Sequence, residues 1–93
     1  MKMTDAIRKF RLQNPSTKED LQMHWGNVLS FGDRILLAGH WYSGKGKSCW
    51  FGAVYEYLDD DDHSIEGMIG LREVSDVEFE DEGHAIRWAM DNS

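Results

Sequence analysis

Two runs rich in β-branched and aromatic residues, RILLAGHWY at 34–42 and CWFGAVYEYL at 49–58, are separated only by SGKGKS. A parallel crossover needs a dozen or more residues, so strands this close in sequence must pair antiparallel. Gly44 and Gly46 supply the turn chemistry. The centre of the fold is therefore a hairpin, and everything else must pack around it.

The same turn ends in the Gly-Lys-Ser of a phosphate-binding loop, but the spacing excludes that motif. Its first glycine belongs at position 41, which is Trp41; Gly39 comes too early and Gly44 too late. An aromatic strand follows Ser48 where the motif needs a helix, and 93 residues leave no room for the several βαβ units of such a fold.

On either side of the hairpin the periodicity changes. Ala6, Ile7 and Phe10 lie at helical spacing within 4–13, with Arg8, Lys9 and Arg11 off that stripe, and Asn14-Pro15 ends the pattern. Ser16 and Glu19 form a capping box for a second short helix through Leu21 and Trp25, closed by Gly26. A short strand over 27–31 and a third long strand over 65–74 flank the hairpin, and Val77 and Phe79 extend the sheet. Asp81 caps a terminal helix with Ala85, Ile86, Ala89 and Met90 inward. The expected fold class is α+β in a single domain, 1–93: an antiparallel three- to four-stranded meander sheet with two short N-terminal helices and one C-terminal helix.

Taking 43–48 and 59–64 as the two loops sets a register, with Tyr42 opposite Cys49 and Val54 opposite Ile69. Period-two alternation then gives a core face of Ile35, Leu37, Trp41, Trp50, Val54, Leu58, Ile65, Ile69 and Leu71. The opposite face carries Leu36, His40, Tyr42, Phe51, Tyr55, Tyr57, Met68 and Arg72 beside a row of small residues, Ala38, Ala53 and Gly70. A third helix fills such a groove, or a ligand does. A slip of one residue would exchange the faces.

No constellation carries catalysis. His24, His40, His63 and His84 are scattered, Cys49 is alone amid aromatics that favour an inert thiol, and the carboxylates crowd into exposed runs rather than a dry pocket. The run 59–63 lacks the rhythm of a calcium loop. No enzyme activity, metal or cofactor is expected. The lone cysteine, the absence of a leader and the lack of any membrane-length apolar segment predict a cytoplasmic protein.

Charge is the most informative quantity. Residues 1–47 hold 8 basic and 4 acidic groups, whereas 48–93 hold 2 basic and 13 acidic, so the net charge of −7 is strongly polarised. Asp76, Glu78, Glu80, Asp81 and Glu82 fall within seven residues; extended, that is one charge per roughly 4.6 Å, near the linear density of a nucleic-acid strand. Asp59, Asp60, Asp61, Asp62 and Glu66 add to it. By size and acidity the chain is similar in type to the small anti-CRISPR and anti-restriction inhibitors of phages and mobile elements, although no motif carries that likeness. The expected function is a protein-binding inhibitor that presents these carboxylates, as a nucleic-acid mimic, to a partner with a basic groove. One alternative is a housekeeping interaction module or homodimer using the aromatic sheet face. Another, ranked below both, is a single-strand nucleic-acid binder at the basic aromatic hairpin 40–51, with Tyr42, Lys45, Lys47, Phe51, Tyr55 and Tyr57 as its face.

Overall fold

A computed structural model describes residues 3–42, 46–58 and 68–93. The order is α1 (Met3–Phe10), β1 (Ser16–Thr17), α2 (Lys18–Trp25), β2 (Val28–Phe31), β3 (Arg34–Tyr42), β4 (Ser48–Tyr57), β5 (Met68–Val74) and α3 (Glu82–Asp91). The strands form one antiparallel sheet, β1-β5-β4-β3-β2, so the fold is α+β as expected, with five strands where three to four are predicted. The additional strand is β1, whose Ser16 and Thr17 pair with Ile69 and Met68.

Local signals act close to where the sequence puts them. α2 begins one residue later than the capping box implies. Thr17 is the N-cap and accepts from the Asp20 backbone N–H at 3.1 Å, while Ser16 is drawn into the sheet edge and donates to Gln13 at 3.0 Å. Gly26 closes α2 at φ 88°, a left-handed conformation open to glycine, with its N–H on the Gln22 carbonyl. α1 ends earlier than predicted, as Arg11 turns to φ 55°. Asp81 caps α3, accepting the His84 N–H at 2.8 Å. Ala85 and Ala89 point inward, Ile86 is half-buried and Met90 faces out, contrary to the prediction.

The hairpin register differs from the predicted one by a single residue. Tyr42 opposes Ser48, Trp41 opposes Cys49 and Leu36 opposes Val54, because Ser48, assigned to the turn, already belongs to β4. On the next hairpin Tyr57 opposes Ile69 and Tyr55 opposes Leu71. Period-two geometry turns the slip into an exchange of faces along β4. Phe51, Ala53 and Tyr55 join Ile35, Leu37, Ile69 and Leu71 in the larger core, under Ala6 and Phe10 of α1 and Leu21 of α2. Val54, assigned to that core, instead meets Leu36 and Ala89 of α3 on the opposite face, Trp50 is only half-buried, and Leu58 is exposed. Ile65 lies outside the described residues. Both faces of the sheet are thus covered, and a helix, α3, occupies the face where the sequence reading leaves a choice between helix and ligand.

β5 leaves the sheet in two steps. Between Val54 and Tyr55 the opposing residue jumps from Glu73 to Leu71, so Arg72 is bulged. The buried Ser75 then replaces a ladder rung: its hydroxyl accepts the Gly52 N–H at 3.1 Å and donates to the Val77 carbonyl at 2.8 Å. Phe79 returns to β4 through paired backbone bonds with Trp50 of 2.7 and 2.8 Å. Residues 75–79 therefore form a strap tied to β4 at both ends. Among the described residues, no helix is long and apolar enough to cross a membrane.

Candidate functional site

The C-terminal ends of α1 and α2 meet the far end of β3 around an open cleft of about 480 Å³. α1 contributes Lys9 and Phe10 with the following Arg11, α2 contributes His24 and Trp25, and β3 contributes His40, Trp41 and Tyr42. The floor is aromatic. Phe10 stacks on the buried Phe51 at 4.0 Å between centroids and meets Trp41 edge-on at 5.4 Å. Trp25 meets Phe51 edge-on at 5.2 Å, and His24 lies edge-on to Trp25 at 4.8 Å. Gly39 makes this possible, since the Phe51 ring occupies the space where a Cβ at position 39 would project.

The rim is basic. The Lys9 ammonium lies 4.8 Å from the Trp41 ring centroid and 5.2 Å from that of Phe10, within cation–π range. Arg11 is exposed and makes no ion pair with another described residue. Lys9, in the last turn of α1, also sits where a cation complements the helix dipole. The arrangement combines flat π-surfaces with positive donors, the chemistry that holds a base and its phosphate.

A smaller recess of about 180 Å³ adjoins the cleft, lined by Lys47, Ser48, Cys49, Glu78, Phe79 and Glu80. The Lys9–Glu78 ion pair, 2.5 Å long, joins the two. The Lys9 ammonium holds the Glu78 carboxyl below the usual glutamate range. The Cys49 thiol, with one proton to donate, lies 3.4 Å from the other Glu78 oxygen and 3.3 Å from the Trp41 carbonyl. Burial first, then the Glu78 carboxylate, pushes that thiol's pKa up, which disfavours a reactive thiolate. On the β3 side of the cleft His40 Nε2 contacts the Ser48 hydroxyl, with Tyr42 and Trp50 rings 4.7 and 4.9 Å from the imidazole.

The structure separates the residues singled out in the sequence. Tyr42 is 63% exposed at the cleft, and Lys47 is exposed at the recess. Tyr57 is exposed at the opposite end of β4. Phe51 and Tyr55 are fully buried in the larger core, a correction that follows from the one-residue register shift. The Tyr55 hydroxyl donates to the Gln13 carbonyl at 2.8 Å, and burial raises its pKa. In the second acidic run, Glu78 is paired with Lys9 and Asp81 is engaged by His84. Asp76 and Glu80 are exposed, and Glu82 begins α3 beside a groove shared with Val28, Leu29 and Ile86. The segment is not one extended strand: it bends on either side of Phe79, which forms an isolated bridge to β4, and Glu82 already begins α3. Lys45, Asp59, Asp60, Asp61, Asp62 and Glu66 lie outside the described residues.

Sequence reasoning missed the helix-borne half of the cleft. Its only trace is a basic cluster at the end of one amphipathic segment and a His24-Trp25 pair before a C-cap glycine. Nothing in the sequence says that the two helix ends meet. Among the described residues, no group of three or more His, Cys, Asp or Glu side chains is placed to hold a metal ion.

Fold and site together define an α+β protein in which a basic, aromatic cleft forms where helix ends meet a sheet. The chain belongs to the family described as nucleotide modification associated domain 4, whose model matches residues 12–93. The match takes in every strand, α2 and α3, and stops short of α1. No curated protein and no solved structure matches the chain.

Proposed function

We propose that the protein is a cytoplasmic binding module for an unpaired nucleotide, free or within a single strand, taken into the cleft between α1, α2 and β3. The carrying observation is that Lys9, Arg11, Trp25 and Trp41 line one space of about 480 Å³, with the Lys9 ammonium 4.8 Å from the Trp41 ring centroid. Trp25 and Trp41 are half-buried; a base stacked on the indole surface left open gains about 1–3 kcal/mol per contact. Lys9 and Arg11 then meet the adjoining phosphate. The family's description, nucleotide modification associated, supports a nucleotide as the guest. With a net charge of −7, the molecule repels nucleic acid at long range, so binding is confined to this local site and falls off with salt.

The test is fluorescence anisotropy with labelled oligothymidylate and with a duplex of the same length. Micromolar binding to the single strand, weaker binding to the duplex and loss of roughly tenfold in affinity on Trp41→Ala are expected, in line with one stacked base. Binding unchanged by Trp41→Ala rules the cleft out.

A protein-binding inhibitor that offers carboxylates to a basic partner is the second reading. The exposed Glu80 and Glu82 favour it; Glu78 and Asp81, engaged within the chain, weaken it. Capture of a nucleic-acid-binding protein that survives Trp41→Ala and is lost on neutralising those two carboxylates would select it.

A further inference from the structure

Lys9 is the cation that faces the aromatic floor, yet in the free protein it already has an anion. Glu78 Oε1 sits 2.5 Å from its ammonium, with the two side chains 35% and 31% exposed. Glu78 does not belong to the cleft's own elements. It arrives on the strap 75–79, fixed to β4 by Ser75 on one side and by Phe79 on the other. Its second oxygen lies 3.4 Å from the Cys49 thiol. A carboxylate placed in this way fills the position from which a phosphate would meet Lys9. Arg11, exposed and without an ion pair to any described residue, is open to a ligand from the start.

On the reading that the cleft takes a nucleotide, we infer that Glu78 is a resident counter-anion which the ligand's phosphate must displace from Lys9. Glu78 thereby sets how strongly the site prefers an anionic ligand over a neutral one. A nucleoside carries no phosphate to compete with Glu78 for Lys9, so it enters the cleft with the Lys9–Glu78 pair intact. A nucleotide makes first contact at Arg11 and gains Lys9 only by exchange. The carboxylate lowers affinity for phosphate-bearing ligands and leaves nucleoside affinity unchanged.

The experiment compares the full chain with Glu78→Gln and Glu78→Asp, using oligothymidylate and thymidine as probes. Glu78→Gln is expected to tighten oligothymidylate binding about two- to fivefold, the size of one partly exposed ion pair, and to leave thymidine binding unmoved; Glu78→Asp falls between. NMR titration of the Glu78 carboxyl carbon provides a second readout: its pKa, depressed in the free protein, returns toward the ordinary glutamate range in the oligothymidylate complex. Oligothymidylate binding by Glu78→Gln that is equal to or weaker than wild type, with unchanged circular dichroism, overturns the inference, as does a Glu78 titration unmoved by ligand. If wild type binds through Trp41 and Glu78→Gln is no tighter, the nucleotide reading stands and only the role of Glu78 falls. If neither protein binds oligothymidylate, both fall.

Discussion

Gly52 lies directly beneath α3: a Cβ built on it would come within 2.7 Å of the Ala85 carbonyl oxygen and 2.7 Å of the Trp88 ring. The helix rests on the bare backbone of β4, and the same residue donates its N–H to Ser75. Gly52→Ala must push α3 away, so it should cost about 1–3 kcal/mol, the usual range for overpacking. Gly83 is the control. A Cβ there meets only Asp81 Oδ1 at 3.4 Å, so Gly83→Ala should stabilise the helix by up to about 1 kcal/mol. Urea unfolding of the two variants should shift midpoints in opposite directions.

Phe51 and Tyr42 should respond oppositely to truncation. Phe51 is fully buried against Phe10 and Trp25, so Phe51→Ala should cost about 3–5 kcal/mol. Tyr42→Ala, at an exposed position, should leave the melting temperature nearly unchanged while weakening oligothymidylate binding. Thermal melts alongside anisotropy separate the two effects.

The basic rim should be visible in the salt dependence. Removing a phosphate contact lowers the slope of log K against log salt by about 0.7 for a single strand. Arg11→Ala should show this reduction. Lys9→Met should lower both slope and affinity, and should leave Glu78 without its cation, so the Glu78 carboxyl should titrate nearer the ordinary glutamate range.

Stability should fall at both ends of the pH scale, for different residues. Glu78, held down by Lys9, and Asp81, held down by the His84 backbone and ring, bind fewer protons folded than unfolded at acid pH. Their contribution is present above the ordinary carboxylate range, about pH 4, and is lost as pH falls through their folded values. Cys49 and Tyr55 are shifted upward by burial, so their contribution is complete below their unfolded values, about 8.5 and 10, and declines as pH rises beyond them. Melting temperature measured against pH should show both limbs. Glu78→Gln should flatten the acid one, and Cys49→Ser should delay the alkaline one.

Much of this architecture is legible in the residues themselves. The hairpin, the glycine that ends α2 and the aspartate that opens α3 are written in short-range chemistry, and each acts within a residue or two of its expected place. The facing of β4 is not. Its sequence SCWFGAVYEY is apolar on both sides because helices cover both sides, so alternation offers no polar phase to read. Only the loop length then fixes the register, and one residue in that length exchanges Phe51 and Tyr55 for Trp50 and Val54. The cleft is hidden for a related reason. Lys9, Trp25 and Trp41 share no local pattern, and they become neighbours only once α1 and α2 settle on the sheet.

The strap that delivers Glu78 has one further consequence. Its anchors, Ser75 on Gly52 and Phe79 on Trp50, grip the same strand only two positions apart. The intervening chain therefore has little freedom to travel. Any handover of Lys9 from carboxylate to phosphate must be made by rotation about side-chain bonds. Such rotations take picoseconds to nanoseconds, where loop motions take up to microseconds. Guest exchange at this site should then be paced by diffusion and by how long the base stays stacked, with no slow gate in between.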